Sequence, residues 1–345
     1  MSASSSSSQH DLPRTMRAAC WTTSSGGIEK NLHATTTAPL PRAASRLPAH
    51  SALVRVAYTT PNPVDFKVAE TAPFIFSKPA IPCLDFSGTV VRSSLAHLRE
   101  GEKVFGSVAL PAFGCAAEFV VVGKEGLVPV PDGVELKQAA TVGIVGLTAY
   151  QCLAPFAKAG DKVFINGGSG GVGTYAIQIA KAMGCHVTTT CSGPNVELVK
   201  SLGADEVIDY KVSDPIQTLQ RTGTQFDLVL DLVFVTPDLY WSAHHFLKPD
   251  GKFVTVAGHP SISWVLGMMR VMLWPSFLGG GQRAFKFVTC KQKAEEYAAI
   301  AKWMKEGKIK VPIEKEFALE EAGKAFEHLK TGRTRGKIVI RVCGE

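Results

Sequence analysis

"NGGSGGVGTYAIQIAKAMGCHVTTTCSGPN" (residues 166–195) is the stretch on which the reading of this chain turns. Six of the eight residues after Asn166 are glycine or serine, and an apolar-periodic run then begins at once. A strand-like run, KVFIN (162–166), leads into it, and a second, 186–191, follows the helical pattern of 172–183. Strand, glycine-rich turn, helix and strand in this order form the unit that holds a dinucleotide. Gly168, Gly170 and Gly173 fit G-x-G-x-x-G. The first is expected to permit the tight turn, the second to let a pyrophosphate approach the backbone, and the third to pack helix on strand. With Ser169, Gly171 and Val172 they would seat the pyrophosphate at the helix N-terminus, where unpaired N–H groups and the helix dipole favour anions.

The end of the second strand predicts which dinucleotide binds. Sites for NAD usually carry an acid there to hold the ribose hydroxyls. This chain has TTTCSGPN, with Ser192 at that point and no acid before Glu197. A carboxylate would repel a 2′-phosphate, whereas Ser192 can donate a hydrogen bond to one. NADPH is therefore the expected cofactor. Lys200 and Tyr210 are candidate helpers, although a solvated helix residue and a strand-end aromatic explain them almost as well.

Outward from this unit the alternation continues: helical 195–202, strand 206–210, helical 214–221, strand 226–232, helical 238–247 and strand 251–258. Such alternation predicts a doubly wound parallel sheet, here over residues 138–285. Residues 16–137 instead carry short β-branched or aromatic runs between Pro/Gly-rich turns, among them ALVRVAYTT (52–60), DFSGTVV (85–91) and CAAEFVVVG (115–123). That texture predicts a compact β module. Residues 286–345 hold one amphipathic helix, 293–307, and a strand-like KIVIRV (337–342) suited to rejoin the first module. The polar, low-complexity residues 1–15 are expected to be disordered.

Composition excludes several classes. With 345 residues, 46% of them hydrophobic, the chain can bury a large core, most naturally in two domains. The net charge of +7 comes from scattered basic residues without a dense block, which suits an anionic cofactor and argues against a nucleic-acid partner. No uncharged apolar window is long enough for a membrane span; the nearest, 262–280, is interrupted by Arg270 and Pro275, which leaves peripheral association open. The eight cysteines form no CxxC pair and no finger spacing, as expected of reduced thiols in the cytosol, with the mitochondrion as the alternative.

GLTAYQCL (146–153), GGSGGVGTYAIQIAKAMG (167–184), SLGADEVIDY (201–210) and GKIVIRV (336–342) together resemble the medium-chain dehydrogenase/reductase superfamily. PNPVDFK (61–67) and PCLDFSGTVV (82–91) are similar to its zinc-independent quinone oxidoreductase branch, nearest the plant chloroplast-envelope homologues and the fungal and mitochondrial reductases close to them. The resemblance implies an α/β protein: a GroES-like, β-rich catalytic domain built from both chain ends, with a doubly wound Rossmann domain inserted. Substrate and nicotinamide would meet between them. Zinc-dependent members carry G-H-E where this chain has CLDFSG, and the interval from Phe86 to Val104 has no room for a four-cysteine lobe. Cys83 alone cannot hold zinc, so no metal is expected.

Without a Lewis acid, hydride transfer from NADPH to the activated C=C of an enone or enal, or to a quinone, is the chemistry implied. By resemblance Asn62 and Asp65 shape the nicotinamide–substrate pocket, Lys67 is an electrostatic donor, Thr148 lines the nicotinamide site, and Gly258 and Lys337 complete the cofactor contacts. The residues alone also allow a turn at Asn62, a helix cap at Asp65, a solvated Lys67 and simple helix packing at Thr148. VAETAPFIFSKP (68–79) lacks the tyrosine that some enoyl-thioester reductases place there, which counts against a fatty-acid enoyl reductase. A tailoring enoyl reductase of a secondary-metabolite pathway and a non-catalytic NADPH-binding sensor or scaffold are the competing functions, with a monomer or homodimer in each case. SISWVLGMMRVMLWPSFLGGG (261–281) has no place in a minimal nucleotide-binding sheet. It is expected to form an apolar lid that sets Trp264, Met268 and Met272 against a lipophilic substrate, with an oligomer contact and a membrane-surface anchor as the other readings.

Overall fold

Two large sheets and one two-stranded sheet organise the computed structural model, which describes residues 12–256, 258, 262–274, 278 and 280–344. The first module opens with β1 (Thr15–Cys20), β2 (His33–Pro39) and β3 (Ser51–Thr60), followed by α1 (Pro63–Thr71). It continues through β4 (Asp85–Ser93), β5 (Lys103–Ser107), β6 (Phe119–Gly123) and β7 (Leu127–Pro129) to α2 (Leu136–Ala140) and α3 (Gly143–Leu153). The parallel half contains β8 (Lys162–Asn166), α4 (Gly171–Ala182), β9 (His186–Cys191), α5 (Val196–Ser201), β10 (Glu206–Asp209) and α6 (Pro215–Thr222). β11 (Phe226–Asp231), α7 (Asp238–Trp241), β12 (Leu247–Thr255), α8 (Ile262–Leu273) and β13 (Ala284–Phe287) complete it. Then come α9 (Ala294–Lys305), β14 (Ile313–Ala318), α10 (Ala322–Lys330) and β15 (Lys337–Arg341).

All pairings of the six-stranded sheet are parallel, in the order β10-β9-β8-β11-β12-β13. Val163, Phe164 and Ile165 of β8 are buried on both faces, which a parallel sheet covered by helices requires of a central strand. α4 is buried from Gly173 to Ala180, since it is packed between this sheet and α3. The expected alternation ends at five strands; β13 adds a sixth, short and mostly exposed, which its four residues could not signal.

The other sheet has seven strands, ordered β14-β15-β3-β4-β5-β7, with β6 also on β3. β15 pairs antiparallel with β3, Ile340 opposite Thr59, so the last strand rejoins the first module. Phe86, Phe326, Ile338 and Trp21 meet in its core. Two boundaries differ from expectation. The parallel sheet runs to Phe287, and α9, expected in the returning segment, buries Tyr297, Ile300 and Ala301 in the same cluster as Tyr175 and Ile177 of α4. An amphipathic helix docks where an apolar face is available, and α3 offers it. Of the tail expected to be disordered, residues 1–11 lie outside the described residues, Leu12 packs on the cluster around Met16 and Leu53, and Thr15 already begins β1.

Candidate active site

β8 and β11 are the central neighbours from which the chain departs in opposite directions, so their C-terminal ends open a crevice. Side chains at those ends brace the glycine turn. Asn166 Nδ2 donates to Asp231 Oδ1 at 2.8 Å, and that oxygen also accepts the N–H groups of Val233 and Phe234, both at 3.0 Å. Burial pushes the Asp231 carboxyl up, and these donors oppose the shift. Asn166 Oδ1 accepts Thr190 Oγ1 at 2.6 Å, while the Gly167 N–H donates to the same hydroxyl oxygen at 2.9 Å.

The tight turn is made by Gly167, at φ +94°, and not by Gly168 as the motif suggested. Gly168 is required for another reason: a Cβ there would overlap Thr189 Oγ1 and stand 3.0 Å from Ile177 Cδ1. At Gly173 a Cβ would overlap the Gly167 carbonyl oxygen and lie 2.8 Å from Gly168 Cα, so helix and turn touch backbone to backbone. At Gly170 the nearest atom is 3.8 Å away and the space beyond is open.

That space belongs to a cleft of about 1030 Å³. Ser169, Gly170, Gly171 and Val172 form its floor, and Ser192, Asn195, Tyr210 and Lys211 form one wall. Asn62, Arg333, Arg335 and Lys337 come from the first module and the segment before β15. Asn195 Nδ2 donates to Ser169 Oγ and Ser192 Oγ, both at 3.2 Å, and its buried Oδ1 is left without a partner. A glycine-rich turn, a helix N-terminus, an unpaired amide oxygen and four cations fit a phosphorylated dinucleotide. Lys200 is not part of it: it is exposed on α5 and pairs with Glu197 at 3.8 Å, because its turn of the helix faces away from the strand ends. Lys211, one residue beyond Tyr210, is the cation on that wall. Asn195, Lys211, Arg333 and Arg335 escaped sequence reasoning; only their distance from a strand end could have pointed to them.

Across the cleft lies a buried polar knot. Asn62, just ahead of α1, accepts Lys337 Nζ on its Oδ1 at 2.7 Å and donates from Nδ2 to Asp85 Oδ2 at 2.7 Å. Asp85 also accepts Thr60 Oγ1 at 2.9 Å and the Ile144 N–H at 2.7 Å, which ties β4 to the start of α3. Gly143 is a glycine because the Asp85 carboxylate occupies the place of its Cβ. Asp65 caps α1, accepting the Asn62 N–H at 2.6 Å, and its Oδ1 is buried without a partner.

Charge balance follows from these partners. Burial lowers the Lys337 pKa, and Asp85 and Asp65 oppose that shift. Burial pushes both carboxyls up, Asp65 well above the usual range. Asp85, with three donors and the ammonium 3.9 Å away, is the carboxyl that carries charge; Asp65, with one donor, keeps its proton.

Three other expected site residues, Lys67, Gly258 and Thr148, lie off the cleft. Lys67 Nζ donates to the Gly258 carbonyl at 2.9 Å, so both are spent on a tie between α1 and the segment after β12. Burial lowers the Lys67 pKa. Thr148 is buried deeper along α3, where the nearby Cys290 thiol donates to the Ile144 carbonyl at 3.9 Å.

Comparison with known proteins agrees with this geometry. Residues 48–132 match the model of the alcohol dehydrogenase GroES-like domain, and residues 202–340 that of a zinc-binding dehydrogenase. Trans-enoyl reductase pgmF of Aspergillus terreus (strain NIH 2624 / FGSC A1156) is 42% identical over 96% of this chain and 97% of its own length. The chloroplast envelope quinone oxidoreductase homolog of Arabidopsis thaliana is 32% identical over 82% of this chain and 87% of its own. The solved quinone oxidoreductase of Coxiella burnetii superposes with a TM-score of 0.79 at 30% identity, covering 95% of this chain and 99% of that one. The chain belongs to the medium-chain dehydrogenase/reductase superfamily. Its branch is that of the quinone oxidoreductases and trans-enoyl reductases, and it is an oxidoreductase that uses a nicotinamide cofactor.

Among the described residues no three His, Cys, Asp or Glu side chains converge. Cys83 and Cys115 are buried, which pushes both thiols well above their usual range, away from the thiolate a metal needs. Nor do the three residues expected to contact substrate act together. Met268 is core, beside Tyr240 and Phe253; Trp264 packs on that core with its ring 6.2 Å from Phe287; Met272 is 74% exposed. Each step of four residues rotates about 40° round the helix, so 264 and 268 face the sheet while 272, about 80° from 264, stands at the rim of that face and is open to solvent. Among the described residues none of α8 lines the cleft.

Proposed function

We propose that this oxidoreductase is an NADPH-dependent reductase of the C=C of α,β-unsaturated carbonyls or of quinones, without a metal. The observation that carries the reading is the cleft itself, which joins a glycine turn and a cation-lined, acid-free wall to the Asn62–Lys337 edge. Ser169–Gly173 would hold the pyrophosphate, and Ser192, Asn195, Lys211, Arg333 and Arg335, which line the same cleft, would meet a 2′-phosphate. When bound, NADPH supplies the hydride. Asn62 orients the Lys337 ammonium at the cleft edge, and Asp85 keeps it charged. A fixed positive charge in a site closed to water lowers the cost of negative charge growing on a substrate oxygen. Alcohol oxidation would need a base or a Lewis acid, and the carboxyls here are capped or already taken.

The test is NADPH and NADH consumption against quinones, enones, enals and simple enoyl thioesters, with products identified by mass. Saturated carbonyls or hydroquinones formed with NADPH are expected. Turnover of alcohols only, or cofactor binding without turnover of any acceptor, would overturn the proposal. A second reading, a tailoring enoyl reductase, is favoured by the 42% identity to the trans-enoyl reductase over nearly the whole chain. Enoyl thioesters would then be preferred over quinones by at least about tenfold in kcat/KM.

A further inference from the structure

α10 ends where the cations of the cleft begin. Leu329 and Gly332 line the cleft, and Arg333, Arg335 and Lys337 follow as its cations on this side. Arg333 and Arg335 are exposed, and the reach of such long side chains is set by where the backbone holds them. The Thr334 hydroxyl between them is buried at the cleft with no partner among the described residues, as an atom awaiting a ligand would be. At its far end this segment is tied to the glycine floor: the Gly336 N–H donates to the Ser169 carbonyl at 3.1 Å. At its near end stands Lys330, the last residue of α10, whose side chain goes instead to the first module.

Lys330 Nζ donates to Glu29 Oε2 at 2.5 Å and to Glu70 Oε1, and it lies 5.2 Å from the centre of the Phe66 ring. Glu29 belongs to the turn Ile28–Lys30 after β1, and Phe66 and Glu70 to α1. Glu70 Oε1 also accepts the Ile28 N–H at 3.0 Å, so one carboxylate joins turn, α1 and α10. All three charged side chains are mostly buried. Burial would raise the Glu29 carboxyl and lower the Lys330 ammonium, yet their pairing holds Glu29 below and Lys330 above the ordinary values. The first turn of α10 rests on the same place, since a Cβ at Gly323 would stand 2.5 Å from the Glu29 carbonyl oxygen. α1 thus reaches the cleft by two routes: Asn62 at its start holds Lys337, and Glu70 near its end holds Lys330. We infer that Lys330 is a positioning residue for the cofactor site. Clamped by Glu29 and Glu70, it fixes the point from which 331–336 leave α10, and so sets Arg333 and Arg335 in place for a 2′-phosphate. This role rests on the reading of the cleft as an NADPH site.

The test is fluorescence titration of the full chain and its variants with NADPH and with NADH, together with hydrogen exchange of 331–336 in the free protein. Lys330→Met leaves two carboxylates facing each other in a mostly buried place, which destabilises by itself. A combined Glu29→Gln, Glu70→Gln, Lys330→Met variant removes the tie without an unpaired charge, and its circular dichroism serves as the fold check. In both variants the Kd for NADPH should rise by at least about fivefold and that for NADH by less than about twofold, because loosened arginines must be ordered again only by the ligand that uses them. Exchange in 331–336 should quicken in both, and Lys330→Arg, which keeps the cation, should stay within about twofold of the native Kd. Equal losses for the two cofactors would overturn the role by making Lys330 merely structural. Unchanged NADPH affinity in the folded combined variant would overturn it as well. A native chain that binds NADPH and NADH equally would instead sink the cofactor reading, and the role with it.

Discussion

Gly170 and Gly173, both beyond the turn at Gly167, should fail in different ways when replaced, and the difference tests how the cleft is built. Gly173→Ala puts a methyl into the Gly167 carbonyl oxygen and within 2.8 Å of Gly168 Cα. Neither is a flexible side-chain end, so α4 must lift from the turn. Overpacking of this kind costs up to about 3 kcal/mol. Alanine in place of glycine in a helix returns about 1 kcal/mol. The balance is a loss of about 2 kcal/mol, or roughly 4–8 °C in melting temperature for a unit of about 150 residues. Gly170→Ala meets nothing closer than 3.8 Å, and its φ of −79° with ψ of 174° suits any residue. The only stability cost is a poorer helix cap, about 0.5–1 kcal/mol. Its methyl stands in the cleft, so NADPH affinity should fall by at least about tenfold. Differential scanning calorimetry and fluorescence titration with NADPH read the two effects separately. Parental melting in Gly173→Ala would refute the rigid contact between helix and turn. Normal NADPH affinity in Gly170→Ala would refute the seating of the pyrophosphate on this floor.

Other perturbations follow from the same geometry. Ser192→Asp should weaken NADPH at least about tenfold while sparing NADH, because like charges about 5 Å apart near a surface repel by about 3 kcal/mol before screening; equal effects on both cofactors in a binding titration would contradict it. Asp65→Asn keeps an acceptor for the Asn62 N–H and removes a buried ionisable group whose pKa is raised chiefly by burial. The stability held by the protonated Asp65 is full below the unfolded value of about 4 and is lost as pH rises through the folded value. The melting temperature of the variant should therefore exceed that of the parent by a margin that widens from pH 5 to pH 9, and parallel profiles would count against a protonated Asp65. Exhaustive chelation should leave reductase activity within about 20% of the untreated protein, because among the described residues no three His, Cys, Asp or Glu side chains converge, where zinc needs about three or four ligands; metal analysis finding one zinc per chain, lost together with activity, would reverse that expectation.

The parallel half was legible because its signals are local. KVFIN, the glycine turn and the helix from Gly171 to Ala182 fall within about one residue of their expected positions, since a buried parallel strand reads as a continuous apolar run and a turn needing close contact admits only glycine. β13 was not legible: AFKF is four residues long, on an edge, with one face exposed. α8 was noticed as an oddity, yet its face was misread. Methionines and tryptophans spaced along 264–272 fit a pocket lining as well as a core-and-surface helix, and only the sheet beneath decides which side each residue takes.

The polar knot marks the limit of sequence reading at the site. Asn62, Asp85 and Lys337 are separated by 23 and 252 residues, and nothing local ties them; the pairing exists because β15 returns to β3 and brings Lys337 under α1. Two of its consequences could not have been foreseen from the motif PNPVDFK. Asn62 has both ends of its amide committed, so it acts on the cleft by holding Lys337, not by reaching into it. Asp65 and Asp85 share one buried cation, and two full negative charges against one positive charge in a dry interior are not sustainable. The number of donors around each carboxyl breaks the tie in favour of an ionised Asp85. That choice keeps the Lys337 ammonium charged at the edge of the cofactor cleft, where a neutral amine would offer a substrate oxygen no fixed field.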